Sequence, residues 1–197
     1  MKISVIMPSL NQAQFVEAAL QSVLTQDYKD FEVVFVDGGS TDGTMDIVEN
    51  YRDRLAYCVS ESDKGQSDAL HKGFLHASGD ILTWLNTDDL LLPGALRVAA
   101  TAFQKNPSRT WLLGNVVWID RDDKIIKCWR GEGYTFAWHK LGLLTAGGPS
   151  AFFRAELYGR VGGVTLNLPF QMDTELWWRF IIAGERYHRI SGYTWGL

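Results

Sequence analysis

Three carboxylates stand where their spacing could do chemistry. Asp37 follows the apolar run Phe31 to Val36, and the pair Asp88-Asp89 follows Ile81 to Leu85. Apolar, β-rich runs of this length suit strands buried on both faces, so the acids fall at strand ends near one edge of a sheet. Left alone, three such charges would repel one another. A hard divalent cation with oxygen ligands, magnesium or manganese, relieves that repulsion; it takes one or two protein carboxylates and fills its shell with phosphate oxygens and water. The pattern therefore points to a metal–diphosphate site. Taken alone, Asp88 and Asp89 also fit a plainer role, capping the helix that begins near Pro93. Asp173, a fourth acid, fits the first turn of its own helix, where the helix dipole favours negative charge.

The elements that must position these residues alternate along the first hundred positions. Ile3 to Met7 reads as a strand ended by Pro8, and Phe15, Val16, Ala19, Leu20, Val23 and Leu24 recur at helical spacing. Phe31 to Val36 is the second strand, GGSTDG a turn, and Met45 to Tyr51 a helix. Leu55 to Ser60 is a third strand and Ser67 to His76 a helix that closes by Gly79. The fourth strand, Ile81 to Leu85, precedes a helix with Pro93 in its first turn and its end before Asn106-Pro107. Strands alternating with helices predict an α/β fold with a mostly parallel central sheet, and such sheets bind ligands at the carboxyl ends of their strands. Past Pro107 the pattern predicts a hairpin, Trp111 to Ile119 and Lys124 to Arg130, then an aromatic, Gly-rich stretch. A last helix spans Asp173 to Ala183, with Gly184 at its end.

Composition narrows the class further. The 197 residues, 46% hydrophobic, suffice for one sizeable core, so a single domain over 1–197 is expected. A net charge of −4 with no run of like charges argues against a nucleic-acid face. Cys58 and Cys128 have no CxxC partner, which suits two small hydrophobes in a reducing, cytoplasmic setting. Pro8, Asn11 and Gln12 interrupt the N-terminal apolar run before a secretory signal could form, and no stretch approaches eighteen apolar residues. Peripheral contact with the cytoplasmic face of a membrane stays open, and nothing fixes the oligomeric state. Of the eight tryptophans, Trp111, Trp118, Trp129 and Trp138 lie in the second half, where packing is the first expectation and stacking on sugars the second.

Four segments in fixed order, PSLNQ, VDGGSTDGT, ESDKGQSDALHKG and LNTDDLLLPGAL, resemble the nucleotide-sugar-binding half of family-2 glycosyltransferases. The resemblance implies the A-type glycosyltransferase fold, with a donor half over 1–105 and an acceptor half over 106–197. It further implies a metal-dependent, inverting transfer of a sugar from a nucleoside-diphosphate donor, uridine diphosphate favoured, to a hydroxyl of a glycan or lipid-linked acceptor. Pro8, Ser9, Asn11 and Asp37 would contact the base and ribose, with Gly38 and Gly39 letting backbone approach closely. Lys64, at Gly65, and Lys72 could meet the diphosphate. Asp88 would sit near the ribose or the cation (Mn2+ or Mg2+), and Asp89 would be the more direct ligand. Asn86 stands where many relatives have Asp, so it can orient neighbours but brings no charge. The segment GPSAFFRAELYGRVGGV resembles the acceptor side, and MDTELWWRF the acidic motif, with Met172 at its first acidic position and Asp173 as the matching general base. Glu175 would point away from Asp173 and is the weaker candidate.

Relatives usually continue past the equivalent of Tyr193 into a lid carrying Arg and a metal-contacting His, so this chain is expected to be a truncated or short form. The Asn86 and Met172 departures keep a second reading in play, a nucleotide-sugar-binding domain that has lost turnover. A nucleotidyltransferase is remote, because PSLNQAQF lacks a Gly-rich phosphate loop with a basic residue, and a dinucleotide-binding G-x-G-x-x-G is absent from the same place. His71, His76, His139 and His188 have no partner at metal-ligand spacing and read as packing or surface residues.

Overall fold

A computed structural model describes residues 1–120, 124–130, 148–166, 168 and 171–197. The predicted hairpin tip at 121–123, Trp138 and His139 lie outside these residues. The first half follows the predicted alternation: β1 (Ile3–Ser9), α1 (Val16–Leu24), β2 (Phe31–Asp37), α2 (Thr44–Glu49), β3 (Tyr57–Ser60), α3 (Gln66–Leu75) and β4 (Ile81–Trp84). Their strands pair in parallel in the order β3-β2-β1-β4.

Side-chain alternation then divides the core into two layers. Ile3, Val5, Met7, Val33 and Phe35 face α1 and the later helix α4 (Ala95–Lys105), while Ile6, Val34 and Val36 face α3. This is the period-two rule acting on strands buried on both sides. Helix α3 lies very close to β1: a Cβ on Gly73 would come within 2.4 Å of the Ile6 side chain. That approach lets the carboxyl-terminal part of α3 pack directly on the sheet.

The second half extends the same sheet and mixes its direction. Its elements are β5 (Leu90–Leu91), β6 (Trp111–Ile119), β7 (Ile125–Trp129), β8 (Ala151–Arg154), α5 (Ala155–Arg160), α6 (Met172–Ile182) and β9 (Tyr187–Gly196). The order continues β4-β8-β6-β9-β5, with β7 paired to β6. Strand β8 runs antiparallel between β4 and β6, β9 runs parallel to β6, and β5 runs antiparallel to β9. The hairpin was expected; β8 and β9 were not. Register between β6 and β9 slips at Asn115, and the Asn115 amide donates to the carbonyls of Ser191 and Gly192, each at 3.1 Å. One side chain thereby satisfies backbone groups that the slip removes from the ladder.

Tryptophans cement this half against the first. Trp177 of α6 is fully buried between Trp84 and Trp111, with ring centroids at 5.6 and 5.1 Å and nearly parallel planes. Trp118 is instead 44% exposed, under the Lys127 ammonium, and Trp129 is half-buried. Cys58 is buried, Cys128 exposed, and both are free thiols. Among the described residues, no helix is long and apolar enough to cross a membrane.

Candidate active site

Parallel register aligns the carboxyl ends of the first three strands, so that Ser9, Asp37 and Ser60 form one row. Asp37 is completely buried in that row. Its Oδ2 accepts from the Ser40 N–H (2.8 Å), the Gly39 N–H (3.1 Å) and the Ser60 hydroxyl (2.6 Å), and its Oδ1 accepts from the Ser40 hydroxyl. Gly39, at φ +88°, makes the turn that brings those donors round. Asn11 ties the adjoining loop to this turn: its N–H donates to Ser40 Oγ at 2.7 Å, and its Oδ1 accepts from the Thr41 N–H at 2.9 Å. Asp42 continues the lacing by accepting from Ala13 and Thr44, and the Thr44 hydroxyl first among these bonds holds its carboxyl below the usual range.

Beside this row opens a first cleft of about 290 Å³, lined by Pro8, Ser9, Asp63, Gly65, Gln66, Asn86, Thr87 and Asp88 among others. The Ser9 hydroxyl is buried there without a hydrogen-bond partner. Gly65, at φ +109°, lets the chain enter α3 at the rim, and its N–H donates to Asp63 Oδ1 at 2.8 Å.

Because β4 ends opposite Ile6, residues 85–89 cross over the end of β1 as a shelf; the Leu85 N–H donates to the Ile6 carbonyl and the Thr87 hydroxyl to the Pro8 carbonyl. The shelf separates its two acids. Asp88 is exposed, whereas Asp89 is only 2% exposed and has one clear protein donor, the Asn86 amide at 3.1 Å from Oδ2. Its Oδ1 has no partner, and the nearby Trp195 indole N–H eases its charge without completing a hydrogen bond. Burial first, and the neighbouring Asp88 charge second, raise the Asp89 pKa to about 7.

A second cleft, about 300 Å³, lies across the shelf, lined by Trp84, Asp89, Gly148, Pro149, Met172, Asp173 and Trp195 together with Gln66, Asn86 and Asp88. The last three residues belong to both clefts. Asp173 enters from the first turn of α6, which begins after Gln171 at φ +60°. Burial raises the Asp173 pKa against the lowering bonds from the Thr174 and Gly148 N–H groups. Glu175 is held the other way: burial would raise it, but bonds from Arg179 and Thr165 keep it below the usual range. Of the two acids on this helix, Asp173 alone faces the cleft.

The structure thus brings Pro8, Ser9, Gly65, Asn86 and Asp88 to the first cleft, and Asp88, Asp89 and Asp173 to the second. Asp37, Asn11 and Gly39 are not in either lining; they build the turn behind it. Asp37 ends β2 and Asp88-Asp89 follow β4, at strand ends as expected; among the described residues no group of three or more His, Cys, Asp or Glu could hold an ion, and Asp37 is enclosed by its own turn. Lys64 is exposed outside both linings, and Lys72 is paired with Glu61 at 2.8 Å and Asp68 at 3.5 Å. His76 stacks on Tyr57, as a packing histidine would. Gln12, Asp63, Gln66, Trp84 and Trp195 were not singled out from the sequence, although Asp63 and Gln66 flank the one glycine that marks the rim.

Residues 4–161 match the family model described as Glycosyl transferase family 2. The chain belongs to that family. It is 35% identical over 137 residues to a GalNAc(5)-diNAcBac-PP-undecaprenol beta-1,3-glucosyltransferase of Campylobacter jejuni, a match covering 67% of this chain and 43% of that protein. It is 39% identical over 110 residues to a PGL/p-HBAD biosynthesis glycosyltransferase of Mycobacterium bovis, covering 53% and 43%. The chain spans about two fifths of the length of these relatives. Among solved structures, S. aureus TarS 1-349 in complex with UDP-GlcNAc aligns with a TM-score of 0.82 at 22% identity, covering all of this chain and 58% of that one. A mannosyltransferase from Pyrobaculum calidifontis, in complex with GDP-Man and Mn2+, aligns at 0.73 with 24% identity, covering 99% and 56%. These structures show the fold, the A-type glycosyltransferase fold.

Proposed function

We propose that the chain carries an inverting, metal-dependent glycosyltransferase site, which moves a sugar from a nucleoside diphosphate to a hydroxyl of a glycan or lipid-linked acceptor. One observation carries it: two clefts meet along a shared wall of Gln66, Asn86 and Asp88, with Asp173 on the far side. The first cleft, with the unpartnered Ser9 hydroxyl, suits the donor. The second suits the acceptor, whose hydroxyl would give its proton to Asp173 as its oxygen attacks the anomeric carbon and the bond to diphosphate breaks. A raised pKa makes Asp173 a stronger base than an exposed carboxylate.

Asp88 and Asp89 are the residues to hold a divalent cation. The unpartnered Asp89 Oδ1 and the exposed Asp88 carboxylate beside it fit a hard ion, and Asp88, which faces both clefts, is the better placed for the diphosphate. When bound, such an ion supplies charge that stabilises the departing diphosphate. Acceptors carried on lipid would be met at the cytoplasmic face of a membrane.

Asp173→Asn tests this reading. Nucleotide release should fall roughly 100- to 10,000-fold, with donor affinity by calorimetry unchanged. Near-normal turnover would remove Asp173 from the base role. Donor binding by the unsubstituted chain with no sugar transfer would favour the binding-domain reading instead.

A further inference from the structure

The shared wall of the two clefts contains a hydrogen-bonded series with a defined polarity. Gln66, the first residue of α3, donates through Nε2 to Asn86 Oδ1 at 2.6 Å, and Asn86 donates through Nδ2 to Asp89 Oδ2 at 3.1 Å. Both bonds run the same way, with the Asn86 nitrogen turned to Asp89 and its oxygen to Gln66. Gln66 in turn must offer nitrogen to Asn86. Its own oxygen is then left over, at a side chain that lines both clefts and takes no other hydrogen bond among the described residues. The adjoining residue is tied down, the Ser67 hydroxyl donating to the Leu168 carbonyl at 3.0 Å, and further along α3 packs closely on β1 at Gly73.

We infer that Gln66 is a positioning and specificity residue, which supports the Asn86 amide in its orientation toward Asp89 by donating to its Oδ1 and presents its own Oε1 as an acceptor for a hydroxyl of the donor sugar. The inference rests on the transferase reading for the identity of that hydroxyl; the polarity of the series stands on geometry alone. It also gives Asn86 a reason. An acid in its place would lie beside Asp89 as a second negative charge, whereas the amide donates to Asp89 and accepts from Gln66.

Two substitutions separate polarity from mere occupancy. Gln66→Ala removes the end of the series and leaves Asn86 oriented by Asp89. Gln66→Glu keeps nearly the same shape but faces Asn86 Oδ1 with an acceptor, so the amide must turn its oxygen to Asp89 or lose its partner. The expected order of loss is therefore inverted relative to side-chain size: roughly 10- to 100-fold in kcat/KM for Gln66→Glu and several-fold for Gln66→Ala. Nucleotide-sugar affinity by calorimetry should follow the same order. Gln66 is exposed, so both variants should melt like the parent. Equal losses, or a smaller loss for Gln66→Glu, would overturn the positioning role. The Asn86 side-chain amide resonances, read without any substrate, should shift in Gln66→Glu and stay near their parent values in Gln66→Ala; identical spectra for Gln66→Glu and the parent would overturn the polarity. A parent chain that melts cooperatively yet binds no nucleotide sugar would overturn the donor hydroxyl and the transferase reading together, with the amide spectra still deciding the polarity.

Discussion

Asp37, in the turn after β2, and Asp89, on the shelf after β4, are both almost wholly enclosed, yet their surroundings differ. Asp37 accepts from two backbone N–H groups and two serine hydroxyls, all within its own turn and the neighbouring strand end. Asp89 accepts from one amide, keeps an oxygen without a partner and has Asp88 beside it. A buried acid supplied with donors holds structure together, and one denied them costs stability unless something else binds it. Much the same side chain is thus fully supplied with donors in one region and left short of them in the other.

The largest effect that could break this contrast is at Asp89. With its pKa near 7 in the folded chain and near 3.8 when unfolded, the native state holds the extra proton between those values. The penalty that Asp89 places on stability is therefore absent below pH 4 and grows as pH rises toward 7. Asp89→Asn removes that penalty. In chelator, the variant should gain at most about 4 kcal/mol over the parent at pH 8 and nothing below pH 4, read by denaturant titration at each pH. With manganese and a nucleotide diphosphate the variant's advantage should shrink, because the parent, with both acids, would gain more stability from the ion. A variant less stable than the parent at pH 8 in chelator would mean that Asp89 is as well satisfied as Asp37.

Asp37→Asn should act in the opposite direction and by less. The amide turns an N–H2 toward donors that now lack an acceptor, which costs about 1–3 kcal/mol. The loss should be present without any ligand. A variant of parental stability would show that the turn does not depend on the carboxylate.

The difference between the two regions also governs what could be read from sequence. The turns of the first half are announced by residue type: Gly39 and Gly65 supply backbone angles that other residues avoid, and Asp and Ser beside them bond to the local backbone. The four strands there are mostly apolar runs between turn residues, so the elements and their alternation follow from pattern. The second half is set by tertiary pairing. Four residues of β8 and a β9 interrupted at 190–192 become strands because β6 lies between them, and Asn115 makes the interruption tolerable from a distance. Asp173 was found through its motif, but the cleft it enters is made by Trp84, Gly148 and Trp195, which no local spacing brings together. Gln66 escaped because a polar residue in the first turn of a helix looks like any solvated one.

The smallest effect tests whether the donor-side lacing is scaffold alone. Asn11 sits at φ +54°, outside both cleft linings, and trades hydrogen bonds with Ser40 and Thr41. Asn11→Ala would keep the Cβ on a left-handed backbone while losing the Thr41 bond and the amide that eases this conformation, so the strain costs about 1–2 kcal/mol. Asn11→Gly loses the same bond without the strain, so it should cost less than Asn11→Ala, within about 1 kcal/mol of the parent. If Asn11 is scaffold, donor affinity in Asn11→Gly stays at the parental value while the melting temperature moves slightly. If it touches the donor base or ribose, affinity falls in both variants alike, whatever their stability. That result would move Asn11 from the turn into the binding surface and would show that the lacing around Asp37 does more than hold the cleft open.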